Sequence, residues 1–317
     1  MQIFQNKSTG IKWRFIVNPM AAKGAVGRRW EKIERLLHAA GISFDHVFTK
    51  RKLHAVDLAK EAIGNGCRHL VAVGGDGTAH EVANGICQQK TCPPASVTFA
   101  MLPIGTGNDW IKTHRIPKKF HKWLACFKNG KTVFQDIGYI VFQNNNKKHK
   151  RYFINVAGLS YDGYLVKKSL CFSTFFSGAL YYLELTARCL FTYKIPAAAI
   201  VFNNKKNSGK YFTINIGIGR YSGGGMQLVP HAVPDDGCLA LTLAGNIKPF
   251  IVLLVSPLFY FGKIGWHPKV EFYKTKKVEI KQLGKESILV EADGEFLGEA
   301  PVEIGVAEKG LKIIVPS

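Results

Sequence analysis

Leu70–Asn84 reads LVAVGGDGTAHEVAN, and the order of its parts decides the fold. The apolar run Leu70 to Val73 has no alternating polar residue, the pattern of a strand buried on both faces. Gly74 and Gly75 end it, Asp76, Gly77 and Thr78 follow, and a helix-forming run begins. Buried strand, glycine turn and helix N-terminus together bind phosphate. Glycines let the backbone approach the anion, and the free N–H groups at the helix start point at it. Asp76 places a carboxylate in the same turn. A carboxylate beside bound phosphates needs a cation between them, usually Mg²⁺. The turn therefore points to phosphoryl transfer on a nucleotide rather than to anion binding alone. Thr78 and Glu81 also fit a capping box for the following helix. Capping does not explain three glycines around an aspartate, because a structural turn needs one residue at positive φ.

Outward from this turn, residues 13 to about 115 alternate between strand and helix patterns. WRFIVNP, ISFDHVFT, HLVAVGG and VTFAMLP read as strands, and RRWEKIERLLHAAG, HAVDLAKEAI and the run from Thr78 read as helices. Strands separated by such helices imply a parallel sheet covered on both faces. The fourth strand runs into a second glycine turn, Pro103-Ile104-Gly105-Thr106-Gly107-Asn108-Asp109. Parallel strands present their C-terminal loops along one edge, where ligands bind. Asn18 after the first strand and Thr49 after the second reach the same edge.

The pattern changes after about residue 132. FQDIGYIVF, RYFINVAG, YFTINIGIG, CLALTLAG, KVEIKQLG, SILVEADGEF and LKIIVP are short β-branched and aromatic runs separated by turn residues. They predict an antiparallel sandwich or barrel, with a helix over about 177–191. Two carboxylate-bearing turns stand out. Pro230–Gly237, PHAVPDDG, reads as a turn before a strand, and its paired aspartates also suit a hard cation. Asp293-Gly294-Glu295 is a hairpin signal whose carboxylates also suit a general base on a hydroxyl.

Composition bounds the function. The 317 residues carry 43 Lys plus Arg against 22 Asp plus Glu, a net charge of +21, which favours an anionic partner. Basic residues cluster at 147–151, 203–210 and 274–281. Seven cysteines without a CxxC pair suit a reduced, cytoplasmic protein, and the N-terminal stretch has no signal-peptide core. Two apolar stretches, Leu170–Tyr193 and Phe250–Gly262, are too short or too interrupted to span a bilayer. They read either as core packing or as a surface that meets a membrane or an acyl chain. His80-Glu81 opens like HExxH, but Asn84 stands where the second histidine would be. GxGxxG, Walker and GxSxG motifs are missing too.

GGDGTAHEVANG and PIGTGND together resemble the nucleotide motifs of the diacylglycerol kinase catalytic-domain family, which includes bacterial lipid kinases and sphingosine and ceramide kinases. NPMAAKGAVGRRW, TKRKLHAVDLAKEA, FQDIG, INVAGLSYDG, PDDGCL and ADGE follow in the family's order over nearly the whole chain. The resemblance implies an α/β ATP-binding domain over 1–132 and a β-sandwich lipid-substrate domain over 133–317, with the active site between them. It implies ATP contacts from Asn18, Thr49, Gly74, Gly75, Asp76, Gly77, Thr78, Glu81, Gly105, Thr106, Asn108 and Asp109. Asp76 and Asp109 would hold the catalytic Mg²⁺ with support from Asp136, and Asp293 or Glu295 would be the base. Asp236 with the carbonyls of Val233 and Cys238 would bind a structural Mg²⁺. The implied activity is transfer of the γ-phosphate of ATP to a lipid hydroxyl, on diacylglycerol or a sphingoid base, by a cytoplasmic protein at an anionic membrane surface. A homodimer stays open. Two other readings stand beside it: a kinase of a soluble acceptor such as NAD, and a basic nucleic-acid-binding protein. The second explains the charge but not two aspartate-bearing glycine turns.

Overall fold

The structure, a computed structural model, describes residues 12–144, 147–171 and 179–317, apart from the side chains of 179–183. Residues 1–11, residues 145–146 of the basic NNNKKHK stretch and residues 172–178 of the first apolar stretch lie outside the described residues. Four parallel strands open the chain: β1 (Trp13–Val17), β2 (Phe44–Phe48), β3 (His69–Gly74) and β4 (Thr98–Pro103), in the order β2-β1-β3-β4. The helices α1 (Ala21–Ala39), α2 (His54–Gly64) and α3 (Asp76–Gln88) connect them. Leu70 to Val73 are fully buried, as their unbroken apolar run predicts, and Trp30, Leu37, Val82 and Ile86 bring the helices onto the sheet. Two further helices, α4 (Asp109–Thr113) and α5 (Phe120–Asn129), close this layer through Trp110 and Trp123.

The second half follows as β5 (Lys131–Asn144), β6 (Lys147–Phe153), β7 (Val156–Ser160), α6 (Tyr161–Ser169), α7 (Ala179–Thr192), β8 (Ala197–Phe202), β9 (Lys205–Lys210), β10 (Thr213–Gly217) and β11 (Leu239–Ala244). It continues with α8 (Pro249–Tyr260), β12 (Val270–Thr275), β13 (Lys277–Gln282), β14 (Leu289–Ala292), β15 (Glu295–Glu299) and β16 (Val302–Val315). One antiparallel sheet has the order β12-β11-β10-β7-β14-β15. Its inward residues, such as Leu159, Ile214, Ile216 and Leu241, meet Ile140, Ile200, Ile280 and Ile304 from the other sheet. This is the sandwich that the alternating runs predict, beneath a parallel α/β layer.

The two layers are not separate sheets. β16 is 14 residues long, where the sequence predicts only the short run LKIIVP. It pairs antiparallel with β5 and β13, then parallel with β4 at Lys312 and Ile313. A register break between Ala307 and Leu311, with Lys309 at φ 49°, bends the strand between its partners. The sequence hides this element because Glu308-Lys309-Gly310 looks like a turn between two strands.

Candidate active site

The two glycine turns meet at the C-terminal edge of the parallel strands. α3 begins at Asp76, two residues earlier than predicted, with Gly75 at the cap and no side-chain cap. The capping box does not form. Thr78 Oγ1 accepts a hydrogen bond from Asn18 Nδ2 at 3.1 Å. Glu81 instead accepts from Leu53 N at 2.9 Å and Ala55 N at 3.1 Å, so it caps the neighbouring helix α2. The first turn of α3 thus keeps its positive end open for an anion. A Cβ on Gly105 would meet Gly75 Cα at 2.6 Å and Asn108 Oδ1 at 2.5 Å, so only glycine lets the two turns approach this closely. Asn108 is buried at φ 49°, its Nδ2 donating to Gly105 O at 2.9 Å, and its Oδ1 has no partner.

A cleft of about 480 Å³ lies over these turns. Asn18, Thr49, Gly75, Thr78, Glu81, Thr106 and Glu295 all line it, and Lys50, Arg51 and Lys52 stand at its rim. With Gly77 and Gly105, which also line it, eight residues expected to contact ATP are brought together with one of the two expected bases. The rim lysines and arginine had no signal of their own in the sequence; they follow Thr49 in the loop that carries it.

Two carboxylates sit beside the cleft. Asp76 Oδ1 accepts from Trp110 N at 3.1 Å. Asp109 Oδ1 is 2.6 Å from Lys112 Nζ, and its Oδ2 accepts from Gly224 N at 2.7 Å. Burial pushes the Asp76 carboxyl up to about 6, opposed by the Trp110 N–H and reinforced by the carboxylates of Asp109 and Asp293. Such crowding of negative charge suits a divalent cation. Among the described residues no three His, Cys, Asp or Glu side chains converge on one point. Mg²⁺ needs no such cage, since one or two carboxylates and substrate phosphates complete its shell. Asp76 fits that role, whereas Asp109 would first have to release the Lys112 ammonium.

Asp136 has partners of its own. Its Oδ2 accepts from Gly237 N and its Oδ1 from Lys309 N, each at 2.7 Å, so it pins the PDDG loop to the β16 bend. In that loop Asp236 is also engaged: Lys274 Nζ pairs with its Oδ2, and Cys238 N donates to its Oδ1 at 3.1 Å. A cation there would have to displace the lysine ammonium. The donor set as arranged does not fit a structural Mg²⁺.

Asp293 and Glu295 have different surroundings. The side chain of Asp293 is buried, and its carboxylate accepts from Ile154 N at 2.9 Å, Asn155 N at 3.0 Å and Val156 N at 3.1 Å. His80 Nδ1 also lies 2.9 Å from its Oδ2. Nδ1 therefore donates to the carboxylate, while Asn84 Nδ2, 3.3 Å from Nε2, directs its two protons to His80 O at 2.9 Å and Tyr152 O at 2.8 Å. Asn84 in turn exchanges two hydrogen bonds with the backbone of Tyr152. His80 and Asn84 are thus the residues that tie α3 to the second half. Asn84 in place of the second histidine breaks the HExxH zinc motif but says nothing of this structural pairing. Glu295, by contrast, faces the cleft and pairs with Lys52, which is largely exposed.

Comparison with known proteins agrees with this geometry. Residues 12–140 match the family model described as the diacylglycerol kinase catalytic domain. Residues 160–315 match that of the YegS C-terminal NAD kinase beta sandwich-like domain. A diacylglycerol kinase of Staphylococcus carnosus is 26% identical over 306 residues, 96% of this chain and 94% of that protein. One of Staphylococcus epidermidis is 27% identical over 309 residues, 96% of this chain and 92% of that protein. A crystal structure of a diacylglycerol kinase from Bacillus anthracis superposes with a TM-score of 0.70 at 21% identity, covering 98% of each chain. Yeast NADH kinase complexed with NADH shares the fold at a TM-score of 0.52 and 11% identity, covering 98% of this chain and 85% of that one.

Proposed function

The chain belongs to the diacylglycerol kinase catalytic-domain family, a family of kinases, and from that premise we propose that it transfers the γ-phosphate of ATP to the hydroxyl of a lipid alcohol. Diacylglycerol is the favoured acceptor, with a sphingoid base next. The division of labour is a nucleotide half over 1–132 and a lipid half over 133–317. The observation that carries the reading is the convergence of both glycine turns and Glu295 on one cleft, with Asp76 and Asp109 beside it.

In this reading the N–H groups at the start of α3 and the Gly105–Gly107 backbone hold the phosphates, with Lys50, Arg51 and Lys52 adding positive charge at the rim. Asp76 and Asp109 would hold Mg²⁺, which when bound neutralises charge on the phosphate oxygens. Glu295 receives the proton of the attacking lipid hydroxyl. It is favoured over Asp293 because it faces the cleft, whereas the carboxylate of Asp293 is occupied by three backbone N–H groups and His80. Asp293 then orients the turn that carries the base. Among the described residues no helix is long and apolar enough to cross a membrane. In this reading the lipid is met from the membrane surface by a peripheral, cytoplasmic enzyme.

The test is transfer of labelled phosphate from ATP with Mg²⁺ to diacylglycerol in mixed micelles. A phospholipid product that disappears with Asp76→Ala supports the reading. Labelling of NAD and of no lipid, by the same folded protein, would move the acceptor to a soluble dinucleotide.

A further inference from the structure

We infer that α8 and the turn after it form the face by which this protein docks on an anionic bilayer. The inference rests on the lipid-kinase reading for its purpose, while the face itself stands on geometry. α8 is apolar all round, yet only part of it is covered. Val252 is buried, and with Ile251 and Phe259 it packs toward Phe212, Leu185 and Leu190. On the opposite side Phe250 is 71% exposed, Leu254 70%, Phe261 71%, and Trp266 in the following turn 70%. Phe250, Leu254 and Phe261 recur at helical spacing, so they form one stripe rather than scattered exceptions. Monomeric soluble proteins rarely leave so many large apolar side chains together in water.

The helix is kept intact despite Pro257. Proline has no N–H for the carbonyl of Leu253, and Ser256 Oγ donates to that carbonyl at 2.8 Å. The outward stripe is therefore held as a rigid surface.

Charge selects the occupant. From Asn246 to Lys269 the chain carries Lys248, Lys263 and Lys269 and no Asp or Glu. Lys263 Nζ lies 4.4 Å from the ring of Trp266, placing a cation beside the most interfacial of side chains. Aromatic residues flanked by lysines match the boundary between acyl chains and anionic headgroups. A second copy of the same basic face would meet like charge, which argues against self-association.

The face is also joined to the proposed site. Gln227 N donates to Phe259 O at 2.7 Å, and Gln227 Nε2 to Tyr260 O at 3.1 Å. Three residues earlier, Gly224 N donates to Asp109 Oδ2 at 2.7 Å. One short loop thus connects the end of α8 to a carboxylate of the nucleotide site. Docking through α8 would bring that site to the lipid surface.

The experiment is sedimentation of the full chain with vesicles of phosphatidylcholine containing phosphatidylserine, and with pure phosphatidylcholine. The wild type is expected to bind the anionic vesicles more tightly. Phe250→Ser with Phe261→Ser should weaken that binding about tenfold or more. Lys248→Glu with Lys263→Glu should remove the preference for the anionic vesicles. ATP affinity is the control for folding in both pairs. Should the serine pair fail to fold, quenching by brominated lipid, read as the difference between wild type and Trp266→Phe, gives the same answer. Absence of wild-type binding, undiminished binding by the folded pairs, or a dimer that the serine pair splits into monomers would each overturn the inference. Failure of the lipid-kinase reading shows separately, as no phosphate transfer to a short-chain diacylglycerol dispersed without vesicles.

Discussion

His80 Nδ1, one turn into the helix that starts at the glycine turn, donates to Asp293 Oδ2 at 2.9 Å across 213 residues of sequence. The bond fixes the hairpin bearing Glu295 relative to the open end of α3. His80→Ala removes that bond and leaves a cavity at a fully buried position, so it should cost about 2–4 kcal/mol. Phosphate transfer should fall more than ATP affinity, because the helix start is untouched. Urea unfolding and kcat read the two effects. An unchanged kcat in a folded variant would remove His80 from any positioning role.

Asp76 makes a pH prediction. Its folded pKa, about 6, lies above the ordinary 3.8, so the folded chain holds the proton longer than the unfolded chain. Its contribution therefore weakens stability as pH rises from about 4 through about 6. Asp76→Asn should be the more stable protein at neutral pH, by about 1–3 kcal/mol, with the difference gone below about pH 4. Denaturant midpoints of both proteins across that range check it. A variant less stable than wild type at neutral pH would contradict the crowding of charge at this carboxylate.

Two glycines of the turns should separate by substitution. At Gly105 an added Cβ meets backbone of the other turn at 2.6 Å, while at Gly77 nothing lies within 4 Å. Gly105→Ala should lower the melting temperature of the ligand-free protein, and Gly77→Ala should not. Both should weaken ATP binding, Gly77→Ala by crowding the approach of phosphate to the helix start. Calorimetric melting and nucleotide titration distinguish the cases.

The neighbouring carboxylates of the hairpin should also part company. Glu295→Gln loses an ion pair with a largely exposed lysine, worth at most about 1 kcal/mol, and should keep the fold while transfer drops about 100- to 10,000-fold. Asp293→Asn turns an acceptor for three backbone N–H groups into a group half donor, and should cost about 3 kcal/mol. Measured with denaturant and with labelled ATP, the reverse pattern would make Asp293 the base.

Much of this was legible from residue order. Glycine turns after apolar strands mark the nucleotide edge because backbone geometry alone makes them, and local sequence encodes it. The alternating runs gave the sandwich for the same reason. Partners distant in sequence were not legible. Glu81 at three residues from Thr78 looks like a cap for its own helix, and only the packing of α2 on α3 sends it to Leu53 and Ala55. Asp136 reads as support for the cation site, and only the fold shows that it also holds Gly237 and Lys309. α8 carried no helical period because it is apolar on every side, and periodicity reads contrast.

β16 has a consequence for how the molecule is made. Ile313 pairs with Phe99 of β4, so the parallel layer is finished by a segment synthesised long after β4 itself. Until then β4 presents an open, largely apolar edge, the kind of surface that chaperones shield and that otherwise seeds aggregation. The first 132 residues should therefore express poorly when cut free, and a peptide spanning β16 supplied in trans should rescue their solubility.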